Sequence, residues 1–167
     1  MQGLIIENKA NLYKIKLGDI NYIATARGKF KNDSFTPVVG DIAEFSIVDE
    51  NKKTAVIESV KERVSYIKRP KLANINQIVF VVSSKHPKPD LLLLDKQLAF
   101  AEFLHIKPVI VLNKIDLDDK NEFLNIQKIY EEIGYKVIQT DAKNGIGVEE
   151  ILLELKNNIS AFAGNSG

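Results

Sequence analysis

The chain has 167 residues, of which 45% are hydrophobic and 27% are charged, and its formal net charge is +1. This composition is typical of a soluble globular protein with room for one or two domains. The apolar runs are only strand-length and the N-terminus lacks a signal-peptide pattern, so we expect no membrane span and no secretory leader. Zero cysteines exclude disulfides and cysteine-ligated metal within this chain. We expect a cytoplasmic protein without a membrane partner.

The charge is unevenly divided along the chain. Residues 1–71 carry 13 Lys and Arg against 9 Asp and Glu, whereas residues 72–167 carry 10 against 13. A modest basic surplus in the first part permits contact with a polyanion without requiring it, because scattered lysines are usually a solvated surface.

Short strands separated by turn residues dominate the first part of the chain. Five strands without a helix in about 66 residues indicate a small barrel. We predict an all-β barrel over residues 1–70, with an oligonucleotide-binding (OB) fold as the first interpretation and a Src-homology-3-like barrel as the alternative. The predicted strands are Gly3–Glu7, Leu12–Leu17, Tyr22–Arg27, Asp41–Ile47 and Thr54–Val60.

A loop of this barrel mixes basic and aromatic residues, namely Arg27, Lys29, Phe30 and Lys31. Basic side chains can follow phosphates, and Phe30 offers a flat face on which an unpaired base can stack. We therefore predict RNA binding at this loop. The alternative is a solvated loop with Phe30 or Phe35 tucked into the mouth of the barrel.

After a basic connection at residues 61–74, with the boundary placed at Pro70, the pattern changes to alternating strands and helices. A buried strand is predicted at Gln77–Ser84, followed by a helix with Asp90 as its N-cap and Leu94, Leu98 and Ala101 on one face. The alternation predicts a doubly wound α/β domain over residues 71–167. Later apolar stripes use Ile126, Ile129, Tyr130 and Ile133, then Val148, Ile151, Leu152 and Leu155, with strands at Tyr135–Gln139 and Ile159–Ala163.

The most informative stretch is an apolar strand, Val109–Leu112, that ends in Asn113, Lys114, Ile115 and Asp116. Ligands of open α/β sheets bind beyond the carboxyl ends of the strands. An ionised Asp116 offers two acceptor oxygens that match the N1 and amino donors of guanine, while Lys114 can cover the base and Asn113 can bridge it to a neighbouring loop. The alternative is a solvated turn between a strand and a helix.

Two further segments follow predicted strands. In Thr140-Asp141-Ala142-Lys143, the amide of Ala142 can donate to guanine O6 and the stem of Lys143 can cover the other face of the ring. Gly164, Asn165, Ser166 and Gly167 look like the start of a glycine-rich phosphate loop, whose lysine and hydroxyl are not present in these residues.

The order of these motifs resembles the ribosome small-subunit-dependent GTPase A family of circularly permuted GTPases, in which base recognition precedes phosphate binding. The segments that carry the resemblance are 26–30, 36–41, 69–77 and 108–116, and the resemblance covers the whole chain. One departure is Asp141, where many GTPases carry Ser before Ala-Lys.

The resemblance implies an incomplete, circularly permuted, P-loop NTPase-like domain after the barrel. It implies that the complete protein binds GTP and GDP, hydrolyses GTP with Mg²⁺, contacts ribosomal RNA and acts late in maturation of the small ribosomal subunit, and we expect a monomer. Catalytic residues and zinc ligands are expected only after Gly167, with Zn²⁺ held by a C-terminal domain. Residues 1–167 alone are accordingly expected to be inactive and to bind no metal.

Two rival interpretations stay open at this point. One is a different circularly permuted GTPase with an unrelated barrel. The other is an RNA-binding module in which the α/β half serves only as a scaffold.

Overall fold

The structure, a computed structural model, describes residues 1–27, 36–119 and 121–164. The chain divides into two units, Met1–Asn74 and Ile75–Gly167. Among the described residues, the helices are all too short or too polar to traverse a lipid bilayer.

The first unit is built on a closed five-stranded barrel. Its strands pair in the order β1-β2-β3-β5-β4, and β4 pairs with β1 to close the barrel. All these pairs are antiparallel except β3 with β5, which is parallel. This arrangement confirms the OB-like barrel over the Src-homology-3-like alternative. The strands are β1 (Gln2–Lys9), β2 (Leu12–Leu17), β3 (Ile20–Ala26), β4 (Ile42–Asp49) and β5 (Thr54–Val60).

Alternation of apolar and polar residues explains why these segments form a barrel. Successive side chains of a strand point to opposite faces, so alternate residues fill the interior. Ile5, Tyr13 and Ile15 are almost completely buried there, while their neighbours face outward. Phe45 packs against Tyr22 with ring centroids 5.5 Å apart, so aromatic and aliphatic side chains together form the core of the barrel.

Two short strands follow the barrel, β6 (Tyr66–Lys68) and β7 (Lys71–Ala73), and they form an antiparallel hairpin. The sequence predicts this segment only as a basic connection between the two domains. The hairpin is held against the loop before β4, where the amide of Ala73 donates to the carbonyl of Val39 at 2.9 Å. Gly40 makes the approach possible: its φ is +92°, and a Cβ there would lie 1.9 Å from the carbonyl oxygen of Ala73.

The same loop contains a buried ion pair. The Asp41 side chain is 0% exposed and that of Arg63 is 12% exposed. Arg63 donates to both carboxylate oxygens of Asp41 at 2.8 Å, and the amide of Val38 donates to the same carboxylate, also at 2.8 Å. Because the buried charge is fully paired, Asp41 fixes the loop on which the hairpin rests.

The second unit alternates strands and helices, as predicted. Its four strands are parallel and are ordered β10-β9-β8-β11. The elements are β8 (Gln77–Ser83), α1 (Leu91–Phe103), β9 (Lys107–Asn113), a 3-10 turn (Ile115–Leu117), α2 (Glu122–Glu132), β10 (Lys136–Thr140), α3 (Val148–Leu155) and β11 (Ser160–Gly164).

The predicted packing of α1 is confirmed, because Leu94, Leu98 and Ala101 are its buried residues. The N-cap is confirmed as well: the Asp90 side chain accepts the amide of Leu93 at 3.0 Å.

Part of the predicted packing of α2 and α3 is wrong. Ile129 and Ile133 are 51% and 65% exposed, since the buried stripe of α2 runs through Phe123, Ile126 and Tyr130 instead. Leu152 of α3 is 61% exposed. Adjacent helical residues lie about 100° apart, so a small rotation of a helix separates buried from exposed members of one apolar run.

Candidate functional site

Two polar strand ends meet at the carboxyl edge of the second sheet. Asn113 is the last residue of β9 and Thr140 is the last residue of β10. The strands are parallel and these two residues are paired in register. The apolar residues before Asn113, Val109 to Leu112, are all buried, which confirms the interpretation as a strand covered on both faces.

The side-chain oxygen of Asn113 receives two donors from the neighbouring loop. Thr140 Oγ1 donates to Asn113 Oδ1 at 3.0 Å, and the amide of Ala142 donates to the same oxygen at 3.2 Å. The two donors fix the orientation of the amide, so Nδ2 is the atom of Asn113 that remains to meet a ligand. Asn113 therefore bridges to the next loop, as its position in the sequence suggested.

Lys114 has a left-handed backbone, with φ +65°. Its ammonium donates to the carbonyl oxygens of His86 at 2.6 Å and Lys85 at 3.3 Å. Its own carbonyl accepts the hydroxyl of Ser84 at 2.6 Å. Both ends of Lys114 are thus tied to the loop after β8, and the methylene stem between them is held in place.

Asp116 lies in the 3-10 turn and is exposed. Within residues 1–27, 36–119 and 121–164, its carboxylate has no hydrogen-bond or ion-pair partner. The next two aspartates differ, because Asp118 accepts the amides of Glu122 and Phe123 at the start of α2 and Asp119 pairs with Lys85. Asp116 is accordingly the carboxylate of this segment that is available to a ligand.

The loop after β10 carries the remaining predicted base contacts. Ala142 and Lys143 are both exposed. Their neighbour Asp141 is only 2% exposed and is bonded to Asn144 and, through the main chain, to Ile146. The residues around Ala142 and Lys143 therefore hold the loop in place. The main-chain amide of Ala142 and the methylene stem of Lys143 lie on this loop, at the carboxyl edge of the sheet.

The other predicted site residues are only partly described. Gly164 ends β11 beside Val81, and a Cβ on Gly164 would lie 2.9 Å from the Val81 carbonyl oxygen. Arg27 is described too, and it forms an ion pair with Glu58 at 2.8 Å. The other members of these predicted sites, Lys29, Phe30, Lys31, Asn165, Ser166 and Gly167, lie outside the described residues.

No cluster of metal-ligating side chains is found among the described residues. The sequence has no cysteine, and the described residues contain no group of three His, Asp or Glu side chains that can hold an ion. The donors gathered at the sheet edge suit a planar ligand with paired hydrogen-bond groups instead.

Sequence reasoning missed two residues that build this edge. Thr140 was noted only as the start of the second loop, and Ser84 only as the end of a strand. The signal for both was their position at the carboxyl end of a strand, where a hydroxyl can orient a neighbouring loop.

Comparison with protein families gives two matches that together cover most of the chain. The model of the RsgA GTPase matches residues 60–167, and the model of the RsgA N-terminal domain matches residues 2–57.

Curated relatives match along the whole chain. Small ribosomal subunit biogenesis GTPase RsgA of Caldanaerobacter subterraneus subsp. tengcongensis is 38% identical over 167 residues, which are 100% of this chain and 56% of the relative. The protein of the same name from Ruminiclostridium cellulolyticum is 39% identical over 99% of this chain and 54% of the relative. The chain thus spans about half the length of these relatives.

Two solved structures are similar as well. YjeQ from Thermotoga maritima superposes with a TM-score of 0.85 at 30% identity, covering 99% of this chain and 60% of that one. YloQ, described as a circularly permuted GTPase, gives a TM-score of 0.82 at 29% identity with the same coverage.

Proposed function

The chain belongs to the RsgA GTPase family, and from this premise we propose that its second unit recognises the guanine base of GTP and GDP while its first unit contacts ribosomal RNA of the small subunit. The observation that carries the proposal is the meeting of Asn113, Lys114 and Asp116 with the loop of Ala142 and Lys143 at one edge of the sheet. In the complete protein, this site would serve GTP hydrolysis during assembly of the small ribosomal subunit.

Base choice is assigned to Asp116. Its exposed carboxylate can accept hydrogen bonds from both N1 and the exocyclic amino group of guanine, a donor pair that adenine lacks. Hydrogen bonds to a charged group contribute about 1.5–3 kcal/mol each. Asn113 Nδ2 and the amide of Ala142 would donate to the acceptors N7 and O6 of the base. At 3.2 Å the bond from Ala142 to Asn113 is near the long limit for an amide donor, so this N–H can be shared with guanine O6.

The lysines cover the two faces of the base. Lys114 can do so because its ammonium is held by the carbonyls of Lys85 and His86, which leaves the apolar stem as the surface for the ring. Lys143 is exposed on the other loop and supplies the second stem.

Phosphate binding is proposed for the glycine-rich segment that begins at Gly164. The segment follows β11, so the phosphates would lie at the same edge of the sheet as the base. Mg²⁺, bound with the nucleotide, would neutralise charge on the phosphates.

RNA binding by the first unit is proposed on the distribution of its unpaired cations. Many of its basic side chains are matched by acids: Lys9 and Lys14 both contact Glu7, and Arg27 contacts Glu58. Arg63 is committed to the buried Asp41. These residues offer little net positive charge to a polyanion.

The turn of the β6–β7 hairpin is different. Lys68, Arg69 and Lys71 are all exposed, and no carboxylate within residues 1–27 and 36–74 forms an ion pair with them. Lys68 and Lys71 are direct cross-strand partners, a placement in which like charges repel. A phosphate backbone would relieve this repulsion, so we propose the hairpin turn as an RNA contact in addition to the predicted loop of Arg27, Lys29, Phe30 and Lys31.

The small ribosomal subunit is the proposed partner, and we propose a cytoplasmic monomer. The rival interpretation is an RNA-binding module with an inert α/β scaffold. It gives no reason for an exposed Asp116 that has no partner among the described residues, three positions after an amide oriented by Thr140.

Competition between nucleotides tests the proposed function. In the natural full-length protein, GDP should displace a fluorescent guanine nucleotide while ADP at the same concentration should not. Equal displacement by GDP and ADP would overturn the base assignment. The contribution of the first unit is tested separately, by binding to purified small subunits over a series of salt concentrations.

A further inference from the structure

The loop between β10 and α3 is closed at its ends by main-chain hydrogen bonds. The amide of Asp141 donates to the carbonyl of Ile146 at 3.1 Å, and the amide of Ile146 donates back to Asp141 at 3.0 Å. Only four residues lie between these partners, and the proposed base contacts Ala142 and Lys143 are two of them. The conformation of so short a loop is decided by what bonds inside it.

Inside the loop, one residue pair supplies the side-chain bonds. Asp141 Oδ1 accepts the amide of Asn144 at 3.2 Å, and Asp141 Oδ2 accepts the side-chain Nδ2 of Asn144. The carboxylate is almost completely buried, with Asp141 only 2% exposed. A carboxylate can receive the two donors on separate oxygens, whereas the single oxygen of a serine cannot occupy both positions.

The far end of the loop is also constrained. Gly147 has φ +75°, and a Cβ at this position would lie 2.3 Å from the carbonyl oxygen of Gln139. The chain therefore packs closely against β10 as it leaves the loop. The position of Ala142 and Lys143 is constrained by Asp141 on one side and by Gly147 on the other.

We propose that Asp141 and Asn144 are positioning residues for base recognition. Their paired side chains hold the loop in the conformation that directs the amide of Ala142 toward Asn113 and toward O6 of a guanine base. This inference rests on the proposed guanine site. It assigns a role to an aspartate that stands where many GTPases carry serine.

The first test is a double-mutant cycle on GDP affinity in the natural full-length protein. Asp141→Ala and Asn144→Ala should each weaken GDP binding by about tenfold, mainly through faster release, because a preorganised amide is lost. Asp141→Ala removes both bonds to Asn144, whereas Asn144→Ala removes only the side-chain bond, so the double variant should be no weaker than Asp141→Ala alone. Additive losses would overturn the proposal.

A reversed pair keeps the test valid if an alanine variant folds poorly. Asp141→Asn places an amide against the amide of Asn144 and should weaken binding. Combining it with Asn144→Asp restores an acid and an amide facing each other, and GDP affinity should recover. A folded reversed pair that binds no better than Asp141→Asn would contradict the pairing.

Dependence on O6 of the base separates positioning from general support of the fold. A 2-aminopurine nucleotide lacks O6 and the N1–H that Asp116 would bind, so it binds more weakly from the start and gains nothing from the amide of Ala142. Its weaker affinity should be changed by Asp141→Ala less than twofold, while GDP loses about tenfold. Equal losses for the two nucleotides would show a structural role only and would overturn the proposal.

A matched control is available in the first unit. Asp49 also closes a turn with its carboxylate, accepting the amides of Asn51 at 2.9 Å and Lys52 at 3.0 Å. Asp49→Ala should leave GDP affinity unchanged. If the unmutated protein bound no guanine nucleotide, the proposed function would fail and this inference with it. If it bound GDP and the Asp141 and Asn144 variants bound equally well, only the inference would fail.

Discussion

Asn113 and Thr140 end two neighbouring parallel strands, and the hydroxyl of Thr140 donates to the side-chain oxygen of Asn113 at 3.0 Å. The bond links the end of β9 to the end of β10. It also links Asn113 to the loop that carries Ala142, because this loop begins directly after Thr140. Thr140 is 1% exposed, so its hydroxyl acts by orienting Asn113 and not by contacting a ligand from solution.

Removing the Thr140 hydroxyl should therefore weaken guanine binding without abolishing it. Thr140→Val keeps the shape of the side chain and removes one net hydrogen bond of about 1 kcal/mol, so GDP affinity should fall by about fivefold. Thr140→Ser retains the hydroxyl and serves as the control. Isothermal titration with GDP measures both, and identical affinities for the Val and Ser variants would contradict the orienting role.

Asp116→Asn should exchange the preferred base. An amide donor would face one of the guanine donors, so GTP affinity should fall by a factor on the order of 10–100, from about 1.5–3 kcal/mol per charged hydrogen bond. Xanthine carries a carbonyl in place of the amino group, and XTP binding should improve. Competition between the two nucleotides measures the exchange, and losses shared equally by GTP and XTP would refute the assignment.

Charge removal at the hairpin turn should weaken RNA binding. Replacing Lys68, Arg69 and Lys71 together by Gln should lower affinity for the small subunit. The slope of log affinity against log salt should become shallower by up to about 0.9 for each RNA phosphate that the variant no longer neutralises. Binding measured over a salt series gives both quantities.

The matched control for the hairpin is the triple replacement of Lys9, Lys14 and Lys53 by Gln. These lysines are already paired with Glu7 and Glu50, so a small effect is expected. Equal effects of the two triple variants would show a general charge effect and would remove the case for the hairpin.

Stability of the first unit should depend strongly on the pair of Arg63 and Asp41. Arg63→Met leaves the buried Asp41 carboxylate without its charged partner and should cost about 3–5 kcal/mol of unfolding free energy. Arg27→Met breaks the exposed pair with Glu58 and should cost at most about 1 kcal/mol. Urea unfolding compares the two, and similar midpoints would contradict the importance of burial.

Acid should weaken the barrel partly through Glu7. Hydrogen bonds from Lys14 and Lys9 lower the pKa of the Glu7 carboxyl to about 2 in the folded protein. A lowered folded pKa means that the ionised pair stabilises the fold above the ordinary carboxyl pKa and that this contribution is lost as the pH falls toward 2.

The Glu7→Gln variant should accordingly be less stable than the unmutated protein at neutral pH, and the difference should disappear in acid. Because the pair is partly exposed, added salt should reduce the difference at every pH. Thermal unfolding from pH 7 to pH 2 measures this, with Glu62→Gln as an exposed control. A difference that persists at the acid end would contradict the ion pairing.

The sequence predicted the elements that repeat a simple period. The strand at Val109–Leu112 was recognised because four apolar residues precede a polar end, and α1 was recognised because Leu94, Leu98 and Ala101 share one helical face with Asp90 at the cap. For this strand and this helix, the periodicity of the apolar residues agrees with the packing in the fold, so both predicted elements are confirmed.

Features decided by distant contacts were not predictable. The β6–β7 hairpin contains few residues, so its strands give a weak sequence pattern. Its docking depends on Gly40, whose missing side chain leaves room for the carbonyl of Ala73, and this contact joins residues that are far apart in the sequence. Likewise, no pattern in the sequence indicates that Asp141 bonds to Asn144 while Asp116 has no partner in the described part of the chain. Both are aspartates after a strand, and only the fold distinguishes their surroundings.

The strand order of the second sheet also constrains when its parts form. β8 pairs with β9 through residues such as Gln77 and Lys107, but it pairs with β11 through Gln77 and Ser160, whose side chains bond across 83 positions of sequence. Contacts between distant segments close long loops and tend to form late. We expect β8, β9 and β10 to acquire hydrogen-exchange protection before β11 during refolding. The edge proposed to recognise the base would then be assembled while the strand before the proposed phosphate loop is still unpaired.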